Sequence, residues 1–246
     1  MERILEKDEY TSPVSAEAYS DMVDKYKSMV HGGFVERILE RADDGSKILD
    51  VCTGPGQVPI ELVERGDFEI TGLDVSREML NVAERNAAAR NVKEKIRFVR
   101  GSVEQNDLPK NSFDIVACFN AMHHFEDPIF LWQKLRALTK PGGSIFLEDL
   151  VRPSGWLIPL YVIVFGGFDR EVRKQYRDSL LAALSRKEWM NLFASVKKND
   201  PAILKTHFLT HMSIVMTGSS NAVKKNVEIG LGGNFFIRAI REIFYK

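Results

Sequence analysis

Ile48-Leu49-Asp50-Val51-Cys52-Thr53-Gly54-Pro55-Gly56-Gln57 decides how this chain folds. An apolar run closes around an acid, passes through a glycine-rich turn and enters a segment of helical pattern. Gly54 and Gly56 lack Cβ atoms, so the chain turns tightly there and a ligand can approach bare main chain. Eighteen residues after Gly56, behind a second apolar run over 68–73, stands Asp74. An acid at that place can accept hydrogen bonds from both hydroxyls of a ribose. The two features together predict a nucleoside-containing cofactor held on a doubly wound α/β sheet.

Outward from this unit, apolar runs alternate with segments of helical period. Strands are expected at about 47–52, 68–73, 95–100, 113–119 and 143–149, and helices over 57–65, 76–90 and 127–139. Asp127-Pro128 is an N-cap followed by a proline at the first helical position, a good helix start. Upstream, Val14, Ala18, Met22, Val23, Tyr26, Met29 and Val30 lie near helical spacing, and His31-Gly32-Gly33 breaks the pattern. Downstream, 202–217 reads as two strands. The class is therefore α/β: a doubly wound, mostly parallel seven-stranded sheet with helices on both faces and a helical cap insertion. Asp50, Asp74, Ser102 and Asn120 all fall at carboxyl ends of strands, where such sheets bind ligands.

After Glu148-Asp149 the pattern changes. Trp156 to Phe165 is continuously apolar and holds Pro159, and it is shorter than the roughly 20 residues a bilayer span needs. It reads as a lid over an apolar substrate, as a contact between two copies of the chain, or as a core helix. Ser185-Arg186-Lys187-Glu188 is a capping box that starts another helix. We divide the chain into N-terminal helices closing over the site (1–42), a cofactor-binding core (43–151), a cap or lid insertion (152–184), and a C-terminal part of the core with an amphipathic tail (185–246). In the tail Phe236, Ala239, Ile240, Ile243 and Phe244 form one face; Arg238, Arg241 and Lys246 leave peripheral membrane contact open.

The charges choose between cofactors. A nicotinamide site wants Gly-x-Gly-x-x-Gly, so that a pyrophosphate sits on the helix N-terminus. Here the third position is Pro59, and Asp50 is awkward beside a pyrophosphate. The acid suits a cofactor with a positive end, such as S-adenosylmethionine with its ammonium and sulfonium. An NAD-dependent oxidoreductase remains the alternative, and a non-catalytic S-adenosylmethionine-binding module a second one.

On these residues the chain resembles the class I S-adenosylmethionine-dependent methyltransferases, from about Lys47 to Arg152. Ile48 to Gly56 looks like the first motif and Thr71-Gly72-Leu73-Asp74-Val75-Ser76 like the second. Gly101-Ser102-Val103-Glu104 sits at the adenine-contacting third, and Phe113 to Phe125 looks like the fourth. Leu138-Thr139-Lys140-Pro141-Gly142-Gly143 matches the turn before the fifth strand. Cys52 stands where the family usually has Gly, and Ser102 where it often has Asp. The resemblance implies cofactor contact at Tyr19, Asp50, Cys52, Gly54, Gly56, Asp74, Val75, Met79, Gly101, Ser102, Val103 and Asn120. It implies a terminal antiparallel strand pair and methyl transfer to O, N or C of a small acceptor, and the aromatic and aliphatic run 156–165 points to a lipophilic or aromatic one. His123 and His124 are the candidates for proton transfer. His207 and His211 read as structural.

Composition narrows the partners. Lys plus Arg and Asp plus Glu each number 34, so no net field steers the chain to nucleic acid. The Asn/Asp-Pro-Pro-Tyr sequence of many base-amine methyltransferases is replaced by Asn120-Ala121-Met122-His123. Cys52 and Cys118 are the two cysteines, which fits a reducing, cytoplasmic setting. Their spacing supports no metal site. The N-terminus is too charged for a signal peptide.

Overall fold

A computed structural model describes residues 2–6, 13–25, 31–166, 170–207 and 210–218. The tail face from Phe236 to Phe244 and the positions Tyr26, Met29 and Val30 lie outside these described residues. Among the described residues two N-terminal helices, α1 (Pro13–Lys25) and α2 (Gly32–Leu39), precede an alternating core. The core runs β1 (Lys47–Val51), α3 (Gln57–Arg65), β2 (Glu69–Asp74), α4 (Arg77–Ala89), β3 (Ile96–Arg100), β4 (Phe113–Phe119), α5 (Pro128–Leu138) and β5 (Thr139–Arg152). There follow α6 (Ile158–Phe165), α7 (Arg170–Ala182), the two-residue β6 (Leu184–Ser185), α8 (Arg186–Val196), β7 (Ala202–His207) and β8 (His211–Met216).

The sheet order is β3-β2-β1-β4-β5-β8-β7, with β6 paired to the end of β5. β1 to β5 are parallel, and β8 runs antiparallel to both β5 and β7. The seven expected strands are present, and β6 adds an eighth. The order reverses between β1 and β4, so the ends of those strands open a crevice at the switch point.

Strands buried on both faces explain the near-continuous apolar runs. On one face Leu49, Val51, Val116 and Leu147 pack with Leu131 and Leu135 of α5 and with Trp189 and Leu192 of α8. On the other, Ile48, Ile70, Ile115 and Phe146 pack with Phe34 and Ile38 of α2 and with Leu62 and Val63 of α3. The caps follow the sequence: Asp127 accepts from Ile129 and Phe130 amides, and Ser185 and Glu188 form both bonds of the capping box.

The break at His31-Gly32-Gly33 coincides with the start of α2 at Gly32, where burial of Phe34, Val35 and Ile38 overrides the low helical preference of glycine. Two expectations are corrected. β5 starts at Thr139, ahead of the expected 143. Phe113 pairs with Thr139 and Ile115 with Ser144, so the Pro-Gly-Gly turn is absorbed as a bulge inside the strand. The run 156–165 is not a core helix: Trp156, Leu160, Ile163 and Val164 are all exposed. Among the described residues no helix is long and apolar enough to cross a membrane.

Candidate active site

The strand ends at the switch point surround a cavity of about 740 Å³. Asp50 is buried beneath it and accepts from the Thr53 hydroxyl at 2.7 Å. Burial pushes its carboxyl up to about 7, with the Asp74 charge adding to the rise and the Thr53 bond opposing it. Asp74 ends β2. One of its oxygens accepts from the Gly54 amide at 2.8 Å and the other from Ser76 at 2.9 Å. Thr53 N–H donates to the Leu73 carbonyl and Gly101 N–H to that of Asp74, which ties the three strand-end loops together.

The loop backbone is strained where the sequence departs from glycine. Cys52 has φ 58° and Asn120 φ 48°, both left-handed. Asparagine tolerates that region; a cysteine there costs about 1–2 kcal/mol. Gly56, at φ 82°, caps α3, and a Cβ on it would meet that of Ala83 at 3.0 Å. Its need for glycine comes from that turn and from helix packing.

Helix α1 lies over the loop. Glu17 pairs with Arg85 of α4, and Asn86 donates to Ser20 and to the Pro55 carbonyl, both at 3.0 Å. This brings Tyr19 to the wall beside Val75 and Met79. Burial, then the charges of Glu6, Asp149 and Asp74, push the Tyr19 phenol to about 12, so its hydroxyl stays a donor.

The two histidines have different surroundings. His123 is buried, with Nδ1 2.8 Å from Asp149 and Nε2 3.2 Å from Glu6. Burial opposes its charged form, but Asp149 and then Glu6 outweigh this and raise it to about 9. Asp149 also accepts the backbone amides of His123 and Leu150. His123 is thus a buried imidazolium clamped between two carboxylates. His124 lies on the cavity wall with Glu6, Leu5, Phe119 and Phe125. The strap over 2–6 holds this turn: Arg3 donates to the carbonyls of His123 at 2.9 Å and Phe125 at 2.7 Å and also bonds that of Ala182.

Of the predicted residues, Tyr19, Asp50, Cys52, Gly54, Asp74, Val75, Met79, Gly101, Ser102, Val103, Asn120 and His124 line this one cavity. Gly56 and His123 are not on its wall. Ser102 turns its hydroxyl to the Glu104 amide. Asn120 Oδ1 lies 3.1 Å from His211 Nε2, and burial lowers that imidazole to about 4, so it is a neutral partner. His207 is also lowered, to about 3, chiefly by burial. None of the described residues of 152–184 lines the cavity.

Sequence reasoning missed Thr53, Glu6 and Phe119. A hydroxyl three residues after Asp50 was a legible signal; Glu6, in a strap far from the motifs, carried none. Glu6, His123 and His124 bring ligand atoms within 4.8 Å of one another, the one such group of at least three His, Cys, Asp or Glu among the described residues. His123 there is already satisfied by its two carboxylates.

Comparison with known proteins agrees with this geometry. The methyltransferase domain family matches residues 48–143. The ubiquinone biosynthesis O-methyltransferase of Vibrio parahaemolyticus is 32% identical over 118 residues, covering 47% of this chain and 49% of that protein. The Vibrio cholerae protein of the same name is 32% identical over 118 residues, at 47% of each. The chain thus matches about half the length of these curated relatives. A putative S-adenosyl-L-methionine-dependent methyltransferase of Methanococcus maripaludis superposes with TM-score 0.64 at 17% identity, covering 89% of this chain and 97% of that one. The plantazolicin methyltransferase in complex with SAH superposes with TM-score 0.66 at 16% identity, covering 85% and 92%. These likenesses show the fold.

Proposed function

We propose that this chain, whose residues 48–143 form a methyltransferase domain, is an S-adenosylmethionine-dependent methyltransferase acting on a small aromatic or lipophilic acceptor. One observation carries the reading. Two carboxylates, Asp50 and Asp74, end neighbouring parallel strands and line a single cavity together with the bare backbone of the Gly54 loop. That donor set fits the group: Asp74, at the end of β2 on the cavity wall, is a carboxylate placed to meet ribose hydroxyls, and Asp50 with Thr53 suits an ammonium. Leu73, Val75, Met79 and Val103 give apolar walls for an adenine. Cys52, Gly54, Gly101, Ser102 and Asn120 supply further contacts around it, and Tyr19 closes it from α1.

Bound there, S-adenosylmethionine supplies an electrophilic methyl group. The chain's own residues position the acceptor and take its proton. Leu5, Phe119 and Phe125 make an apolar end to the cavity, which supports an aromatic acceptor. The exposed run 156–165 lends that reading no support. His124 is the group we assign to receive the acceptor's proton. His123 is a positioning residue that fixes the turn through Asp149. Holding a nucleophile in line can contribute roughly 7–11 kcal/mol to lowering the barrier. The names of the half-length relatives support oxygen as the acceptor atom. Cys52 and Cys118 stand outside any disulfide, which supports a reducing, cytoplasmic setting.

The test is calorimetric titration with S-adenosylmethionine, S-adenosylhomocysteine and NAD, followed by methyl transfer to phenolic, amine and carbon acceptors. Binding of both adenosyl ligands, with transfer to a phenol, is expected. Binding of NAD alone overturns the assignment.

A further inference from the structure

Helix α6 presents an apolar stripe to solvent. Trp156, in the turn that leads into it, is 80% exposed, Leu160 53%, Ile163 66% and Val164 48%. Their spacing of four, three and one places them on one helical face. They make up four of the eleven large exposed apolar residues among those described, gathered within nine positions. Monomeric proteins scatter such residues singly; a contiguous patch marks an interaction surface.

The neighbouring helix supplies charge. Arg170, Arg173, Lys174 and Arg177 of α7 repeat at three, one and three, again one face. Arg170, Lys174 and Arg177 are exposed and Arg173 is half-buried, while Leu180, seven residues beyond Arg173, and Ala183, just past the helix, are fully buried. The two helices pack on each other, and the Arg173 stem lies against Gly166 at the end of α6. The four cations of α7 stand against two acids of the same helix, Glu171 and Asp178, in a chain of zero net charge, so the excess is local. A separate cavity of about 720 Å³ lies beside Tyr161 of α6; Arg186, Lys187 and the ion pair of buried Arg152 with Glu188 line it.

We propose that the α6–α7 pair is a docking surface for an anionic phospholipid bilayer. The apolar stripe lies at the level of the acyl boundary, and the basic residues meet the headgroups. Eight residues of α6 rise about 12 Å, far short of a span, so the helix lies in the plane of the interface. Charge complementarity selects this occupant over a second copy. An isologous dimer through α6 would bring two cationic stripes to one rim, where they repel. The inference stands independently of the methyl-transfer reading.

The test is sedimentation of the full chain with extruded vesicles of phosphatidylcholine alone and of phosphatidylcholine with phosphatidylglycerol. Binding to the anionic vesicles, weakened by added salt, is expected. Replacing Arg170 and Lys174 by Gln should weaken it roughly 30-fold. Trp132 and Trp189 are buried, so a blue shift and quenching by brominated lipid report Trp156. Trp156→Phe should lose that signal while still binding, and Trp156→Ser with Ile163→Ser should bind more weakly. Unchanged thermal unfolding of each variant shows that it folds. Equal or absent binding to the two vesicle types overturns the proposal. So does a dimer that Trp156→Ser dissociates without any vesicle binding.

Discussion

The most discriminating perturbation of the cofactor site is pH acting on Asp50. The carboxyl is buried, has one hydrogen bond from Thr53, and is raised to about 7. An ammonium ligand prefers the carboxylate, so binding below about pH 7 must first expel a proton. The apparent affinity for S-adenosylmethionine then falls about tenfold for each pH unit below 7. At about pH 5 the loss is on the order of 100-fold, or about 2.7 kcal/mol. Above about pH 8 the ligand's own α-amine loses its proton, and affinity falls again. The expected profile is a bell with its maximum between these limits. Calorimetry in paired buffers of different ionisation enthalpy should detect about one proton released near pH 6. Asp50→Asn keeps an acceptor for Thr53 and should flatten the acid limb alone. The same variant should stabilise the ligand-free protein at neutral pH. A group whose folded value is raised from 3.8 to about 7 favours its protonated form in the fold, so its ionisation lowers stability as pH rises through that window. A flat affinity from pH 5 to 7, or an acid limb that survives in Asp50→Asn, would refute the assignment of Asp50 to the ammonium.

Other outcomes follow from the same geometry. Asp74→Ala removes the anchor of the Gly54 and Ser76 amides along with the ribose acceptor, so calorimetry should show binding at least about 30-fold weaker. His123→Ala leaves Asp149 buried without its cation, a loss of about 3–5 kcal/mol and a drop in Tm of roughly 6–20 °C. His124→Ala should leave Tm within about 2 °C of the parent while kcat falls about 10²- to 10⁴-fold; equal Tm losses in the two variants would contradict the division of roles. The His123 contribution is fully present below about pH 6.5 and is lost as pH rises through about 9, so the denaturant midpoint should decline over that window. Cys52→Gly should be more stable than Cys52→Ala by about 1 kcal/mol, since both lose the thiol and only glycine escapes the left-handed penalty.

What could be read from the chain depended on whether its cause was local. The strand over 113–119 and the helix over 57–65 have the predicted bounds, because apolar continuity and helical period are properties of neighbouring residues. The start of β5 was missed because a Pro-Gly-Gly turn becomes a bulge only when β4 is beside it. The two-residue β6 has no period to detect. In the site, the loops after β1, β2 and β3 were legible, since each bears its own residues at a strand end. Glu6 was not, because its place is set by contacts with Ser179 of α7 and with His123, both remote in sequence. The apolarity of 156–165 was plain, but whether it faced a pocket or solvent depended on tertiary packing.

The N-terminal strap explains how the His123-His124 turn is held in one geometry beside the cavity. A 3₁₀ turn of three residues has poor hydrogen bonding of its own and little reason to hold one geometry. Here the backbone amide of His123 is bound by Asp149, its carbonyl by Arg3, and its ring by Asp149 and Glu6. These partners belong to two layers: Asp149 to the buried strand β5 below, and Arg3 and Glu6 to the strap above. The buried charges are nearly balanced, one imidazolium against two carboxylates, with the Arg3 guanidinium beside them. That balance fixes His123 as a cation and removes it as a proton acceptor near neutral pH. Its neighbour in sequence, on the cavity wall, is left as the histidine of the pair able to meet an acceptor. The adjacency of two histidines therefore fits the roles we propose for them, His123 anchoring the turn and His124 on the cavity wall.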